Sequence, residues 1–277
     1  PSTSELSMAL RAACMAAMLI GCGANTEDTA KSDDTDKTEI ESEQTTDTET
    51  ADTESTEAAS QENTEATEEN LSVNGIPAAY IPVLDGVYSF IVNYDSSDYS
   101  ANYENPYYLE GLNESRSYAD NPQEVLEREG YELRDINHDH VDELLIGSGS
   151  VIDALYTIRD NEAVLVEESW SRNMYSLMPD DTLFYQGSGG AAYTIFGIYR
   201  LERDSTELKA VDYYFSDYID ESQQEVGWYH NNTGSDEKSE STLIDMTSDE
   251  ALHMIDRYSE ECVTFNPTYF ADYTPSN

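Results

Sequence analysis

Large apolar side chains almost vanish between Glu27 and Glu69, where Ile40 stands alone, and are dense on either side of that gap. A segment that can bury so little cannot offset the entropy of ordering it, so 27–69 is expected to be disordered and the folded part to begin near Leu71. Beyond the gap, Tyr80, Val83, Leu84, Val87, Tyr88 and Ile91 recur at helical spacing and predict one amphipathic helix over Ala79–Tyr94, weakened by Pro82 and Gly86. A tyrosine-rich, turn-prone stretch follows. Asn121-Pro122 then opens a short helix, "PQEVLEREG", with Asn121 as its cap and Gly130 as its end.

From Tyr131 the period changes from that of a helix to that of a strand. Eight β-type segments, from "YELRDI" to "KAVDYYFSDY", are separated by "NHDH", "GSGS", "RDNE", "PDD", "GSGG" and "RDSTE". Turn signals at this spacing predict a meandering antiparallel sheet. Thr247-Ser248-Asp249-Glu250 has the pattern of a capping box and starts a closing helix, Ser248–Glu261. The expected fold class is α+β: an antiparallel meander with a helix before it and a C-terminal helix, in one domain over 71–277.

At the N-terminus, Arg11 precedes a run of small and apolar residues, Ala12 to Gly21, and then Cys22. The run is shorter than the roughly 20 residues a helix needs to span a bilayer, and it has the layout of a secretory signal peptide, 1–21. Leu19-Ile20-Gly21-Cys22 resembles a bacterial lipobox. That resemblance implies diacylglyceryl modification of the Cys22 thiol, cleavage before it, and a membrane anchor on the extracytoplasmic face; two acyl chains hold stably where one is marginal. Residues 22–70 would then be a tether carrying the lipidated cysteine. As a flexible coil it would average about 40 Å end to end, and charge repulsion would extend it toward a limit of roughly 160 Å.

Charge narrows the partners. The chain holds 58 Asp and Glu against 13 Lys and Arg, a formal net charge of -45. The tether segment accounts for -15, so the folded part is itself strongly acidic. Nucleic acid and anionic lipid headgroups would be repelled, which leaves cations, basic partners or solubility alone. Of the three cysteines, Cys14 and Cys22 lie in the leader region and Cys262 stands alone, so no disulfide framework is expected. Acidic neighbours and burial would leave Cys262 unreactive.

The densest chemistry lies in "YELRDINHDHVDELLIGSG", Tyr131 to Gly149. Counting from Asp135 as position one, Asp135, Asn137 and Asp139 occupy positions one, three and five, Val141 position seven and Glu143 position nine. A hard cation such as Ca²⁺ takes six to eight oxygens, and a tight loop can aim alternate side chains and one backbone carbonyl at it. The predicted calcium ligands are therefore Asp135, Asn137, Asp139, the Val141 carbonyl and Glu143, in a weak site with a dissociation constant of about 10⁻⁴ to 10⁻³ M. Position twelve is Ile146, and "ELLIG" reads as a strand, so an EF-hand is excluded. His138 and His140 stand where such loops usually carry glycine, and position six needs a positive φ, which histidine enters at some strain. Two other readings stay open: a loop that keeps its turn without metal, and a transition-metal site through His138 or His140.

The loop resembles the FG-GAP and related D-x-[DN]-x-D-G-x-x-[DE] calcium loops of secreted proteins. "DINHDHVDELLIG" is also similar to a stretch common in surface lipoproteins of clostridia-like, Gram-positive bacteria, in which lipobox, polar tether, helix, loop and strands follow in the same order. The resemblance implies calcium and an envelope location, and no activity. Neither "GSGS" nor "GSGG" forms a nucleophile elbow, and His230 and His253 lack a distinctive partner motif. The expectation is a non-enzymatic, calcium-stabilised binding or interaction module whose partner is a cell-wall polymer or a protein. The rival is a wall-glycan hydrolase using a carboxylate pair, which predicts a cleft with two acids of raised or split pKa; a purely structural envelope protein is the third reading. The 21 tyrosines would suit stacking on sugars or proteins, or would simply fill alternate strand positions.

Overall fold

A computed structural model describes residues 72–276 apart from Asn74 and Ala191. The leader 1–21, Cys22 and the tether lie outside the described residues. The described chain enters as a two-stranded ladder, β1 (Ser72–Val73) with β2 (Ile76–Pro77). A 3-10 turn, Ala78–Tyr80, then leads into helix α1 (Ile81–Asn93). Both expected weaknesses of this helix have structural reasons. Pro82 sits in the first turn, where its missing N–H has no intrahelical partner to lose. At Gly86 a Cβ would fall 2.0 Å from the Tyr107 ring, so the glycine is a packing notch. The helix buries Val83, Leu84, Val87, Phe90 and Ile91 along one stripe.

The tyrosine-rich stretch holds two short helices that periodicity did not announce, α2 (Tyr99–Tyr103) and α3 (Glu110–Ser117). Next comes α4 (Pro122–Leu126), whose cap is Asn121: its Oδ1 accepts from the Glu124 N–H at 3.3 Å.

The sheet contains all eight expected strands: β3 (Gly130–Arg134), β4 (Glu143–Ser148), β5 (Val151–Arg159), β6 (Glu162–Glu168), β7 (Asn173–Leu177), β8 (Leu183–Gly190), β9 (Tyr193–Leu201) and β10 (Leu208–Tyr218). Three more extend it: β11 (Val226–Asn231), β12 (Thr242–Ile244) and, after helix α5 (Ser248–Glu261), β13 (Thr268–Tyr269). Every pairing is antiparallel, and the order is β12-β11-β10-β9-β8-β7-β5-β4-β3-β13. Strand β5 is the branch point. Its Ala154–Arg159 stretch pairs with β6, and Val151–Ile152 pairs with β7 on the same edge. "GSGG" is not the turn it was expected to be: Gly187–Gly190 continues β8, with a bulge at Ser188/Gly190.

Alternation along β4 distributes its side chains to two cores. Leu144 and Ile146 pack with α1, α3 and α4, while Leu145 faces the opposite side with Leu155, Tyr175, Tyr185 and Tyr213. Each such burial contributes about 1.5–3 kcal/mol. The third core lies under α5, where Ala251 and Ile255 meet Phe184, Phe196 and Trp228. That helix starts with the full capping box: Thr247 Oγ1 accepts from the Glu250 N–H at 3.2 Å, and Glu250 accepts from the Thr247 N–H at 2.8 Å. The C-terminal segment returns along the sheet through the Phe265 N–H on the Gly149 carbonyl and the Phe270 N–H on the Glu129 carbonyl, and β13 closes against β3. The β3–β4 hairpin is thereby held from both sides. Among the described residues no helix is long and apolar enough to cross a membrane.

Candidate functional site

Register fixes the ends of the acidic loop. Arg134 of β3 pairs with Glu143 of β4, so 135–142 is the connection of a β-hairpin. Within it the side chains of Asp135, Asn137 and Asp139 take the place of missing ladder partners. Asp135 Oδ1 accepts from the Asp139 N–H at 3.1 Å, and its Oδ2 accepts from the His140 N–H at 3.0 Å. Asn137 Oδ1 accepts from the Asp139 N–H at 2.9 Å, and Asp139 Oδ1 from the Val141 N–H at 2.8 Å. The side-chain oxygens of positions one, three and five are thus drawn onto the loop's own backbone. Both histidines take the left-handed conformation, with φ of 60° at His138 and 77° at His140. The turn that glycine would normally make is therefore formed at a cost of about 1–2 kcal/mol per residue.

Glu143 anchors the base of the loop. It is fully buried, and its Oε2 accepts from the Ile136 N–H at 3.0 Å. Oε1 accepts from Asn137 Nδ2 at 2.9 Å and from the Thr157 hydroxyl at 3.0 Å. Burial pushes its carboxyl up to about 7; the Ile136 and Thr157 donors oppose that shift, and the Asp139 and Asp135 charges add to it. Tyr80 covers the same spot, its hydroxyl donating to the Asp142 carbonyl at 2.8 Å. Its phenol is pushed up by burial, with the Glu143 charge adding to the effect.

Both oxygens of Glu143 are thus engaged by the protein, which makes it the residue that locks Asn137 in place. A position-nine acid in such loops often reaches its ion through water. Among the described residues, no lysine or arginine pairs with Asp135, Asp139 or Glu143. The adjacent Arg134 turns instead to Asp181, Nη2 to Oδ1 at 2.6 Å. Asp135, Asp139 and Glu143 are thus three carboxylates without a lysine or arginine partner among the described residues, and Glu143 is the buried one. Among the described residues no three His, Cys, Asp or Glu side chains gather as a metal cluster. Neither the calcium set nor the transition-metal reading through His138 and His140 gains support from that arrangement. The calcium-type set depends on two carboxylates, the Asn137 amide and the Val141 carbonyl, with Glu143 behind them.

The other sequence candidates fall elsewhere. The raised acids Glu167 and Glu168 are successive residues of β6 and lean to different partners: Glu167 toward Tyr175, and Glu168 toward the Glu110 N–H at 3.3 Å. His230 Nε2 lies 2.5 Å from Asp212 Oδ1, and the other oxygen of Asp212 accepts from the Tyr214 hydroxyl at 3.0 Å. Cys262 sits half-buried just past α5, its thiol pushed up to about 11 chiefly by burial. Most tyrosines named in the cores are structural. Tyr175, Tyr185, Tyr199 and Tyr213 form a ladder of ring contacts 4.9–6.2 Å apart, whereas Tyr103, Tyr118, Tyr193 and Tyr269 are exposed. Trp228 and Tyr229 of β11 are buried as well.

Comparison with protein-family models, with curated proteins and with solved structures found no match to the chain.

Proposed function

We propose that the chain is a lipid-anchored extracytoplasmic protein whose α+β domain is stabilised by calcium at 135–143 and serves as a binding module at the cell envelope. The observation that carries the calcium part is the loop's geometry. Asp135, Asn137 and Asp139 turn side-chain oxygens onto the backbone N–H groups of one short loop, and among the described residues no lysine or arginine pairs with its acids. The ion would take oxygens from Asp135, Asn137, Asp139 and the Val141 carbonyl, with Glu143 behind them. When bound it supplies positive charge that ties the end of β3 to the start of β4. Because the unfolded chain cannot offer this arrangement, binding adds to folding stability. The anchor rests on Leu19-Ile20-Gly21-Cys22 and the polar tether after it.

Calorimetric titration of the full chain with calcium tests the reading. Saturable uptake with a dissociation constant of about 10⁻⁴ to 10⁻³ M, lost in Asp135→Ala, is the expected result. The absence of saturable heat in the unmutated protein rules it out.

A further inference from the structure

Beside the calcium-type loop lies a groove of about 440 Å³, within the range of small-molecule sites, about 300–1,000 Å³. One wall is the loop itself, through Asn137 and His138. The second is the β7–β8 turn with Asp180, Asp181 and Thr182, and the third is the end of β9 and the turn after it, with Arg200, Glu202 and Arg203. Its apolar contribution comes from Ile136 and Leu201, each only 4% exposed.

The charge of this lining differs from that of the whole chain. Acids outnumber bases 58 to 13 in the sequence, yet here Arg200 and Arg203 share the lining with Asp180, Asp181 and Glu202, and Arg134, from outside the lining, adds a third guanidinium on Asp181. Positive and negative groups balance. A ligand of either sign gains little net attraction from such a lining, whereas a neutral polar one meets both donors and acceptors. Glu202 already accepts from Arg200 at 2.8 Å and from Lys209 at 3.1 Å, and Thr182 donates to Asp180 at 2.6 Å, so these side chains are oriented in advance. Arg203 is the exception. It is exposed, and among the described residues it has no hydrogen bond, ion pair or ring contact. In so acidic a chain, an arginine at a groove without a carboxylate partner is a fork of donors left for something else.

We propose that this groove binds an uncharged saccharide segment, with Arg203 as its principal donor. A sugar hydroxyl both donates and accepts, which is what a lining of paired guanidiniums and carboxylates offers, and the sugar's C–H faces suit the small apolar floor of Ile136 and Leu201. The proposal rests on the reading of this domain as an envelope binding module, and it does not depend on calcium at the loop.

The test is titration of the full chain, followed by amide chemical shifts, with N-acetylglucosamine oligomers, maltooligosaccharides and a glycerol phosphate oligomer, each in calcium and in chelator. An uncharged oligosaccharide is expected to give saturable shifts at groove residues. Arg203→Ala should weaken that binding at least about tenfold, the loss of one hydrogen bond to a charged donor. Tyr118→Ala, at a site 82% exposed and outside the groove lining, should leave it unchanged. Saturation by none of the uncharged sugars, binding that survives Arg203→Ala intact, or binding of the glycerol phosphate oligomer alone would each overturn the proposal. Saccharide binding that persists with no calcium effect on melting sinks only the calcium reading. A calcium effect without saccharide binding sinks only the groove.

Discussion

Two acidic turns border the same groove, 135–142 between β3 and β4, and 178–182 between β7 and β8, and they solve the same electrostatic problem differently. Both force non-glycine residues into the left-handed region: His138 and His140 in the first, Asp181 with φ of 64° in the second. Asp181 receives a fixed counter-ion in Arg134 at 2.6 Å, and the His138 ring lies 3.5 Å from its other oxygen. Asp135 and Asp139 receive only backbone N–H groups. One turn has an arginine from β3 on its acid; the other has no lysine or arginine partner among the described residues. Two turns of similar composition thus differ in kind. Arg134, which adjoins Asp135 in sequence, is spent on the more distant of the two acids.

The sharpest way to break the contrast is at Glu143. Replacement by alanine leaves the Ile136 N–H, the Asn137 amide and the Thr157 hydroxyl without their acceptor inside the protein, and should cost about 3 kcal/mol in denaturant unfolding. A cost below about 1 kcal/mol would mean that the loop base is not held as described.

The pH dependence of stability comes next. The Glu143 carboxyl is raised from 4.5 to about 7 in the folded protein, so across that interval the folded state binds its proton and the unfolded state does not. Its contribution is therefore most favourable below about pH 4.5, and up to about 3 kcal/mol is lost as pH rises to about 7. Unfolding free energies at pH 5 and pH 8 in chelator, compared between the unmutated protein and Glu143→Gln, should show a shallower decline in the variant. Equal declines would remove Glu143 as the source. Millimolar calcium should also flatten the decline, because a cation favours the charged carboxylate.

The smallest effect belongs to the turn that carries its own counter-ion. Arg134 and Asp181 remain 30% and 18% exposed, so solvent screens the pair, and Arg134→Ala should cost about 1 kcal/mol. That cost should be the same with calcium and with chelator, in contrast to the effect of changes at Asp135. A calcium-dependent cost at Arg134 would mean that the two turns share one charge system.

Local pattern carried most of the fold. The eight segments of period two became β3–β10, and the capping signal placed α5 correctly, because side-chain alternation and N-capping act over a few residues. The elements that escaped are those whose reason is distant. Strand β13 exists through its pairing with β3, far away in sequence, and β11 has a mixed composition whose Trp228 and Tyr229 are covered by α5 and the neighbouring strands. Helices α2 and α3 are too short to show a period.

The candidate site divides in the same way. The loop's spacing and the positive φ at His140, its position six, were legible, since they follow from the length of a tight turn; the positive φ at His138 came with the structure. The burial of Glu143 beneath Tyr80 and beside Thr157 was not, because those partners come from a 3-10 turn and from β5. Nor did the sequence mark the groove, which assembles from three separate turns.

Thermal unfolding of the full chain in calcium and in chelator, with Asp135→Ala alongside, tests the central claim most directly. At about ten times the dissociation constant, calcium should add roughly 1.4 kcal/mol, which for a domain of this size raises the melting temperature by about 3–6 °C. Asp135→Ala should show no such rise. Equal melting temperatures for the unmutated protein in calcium and in chelator would contradict the account.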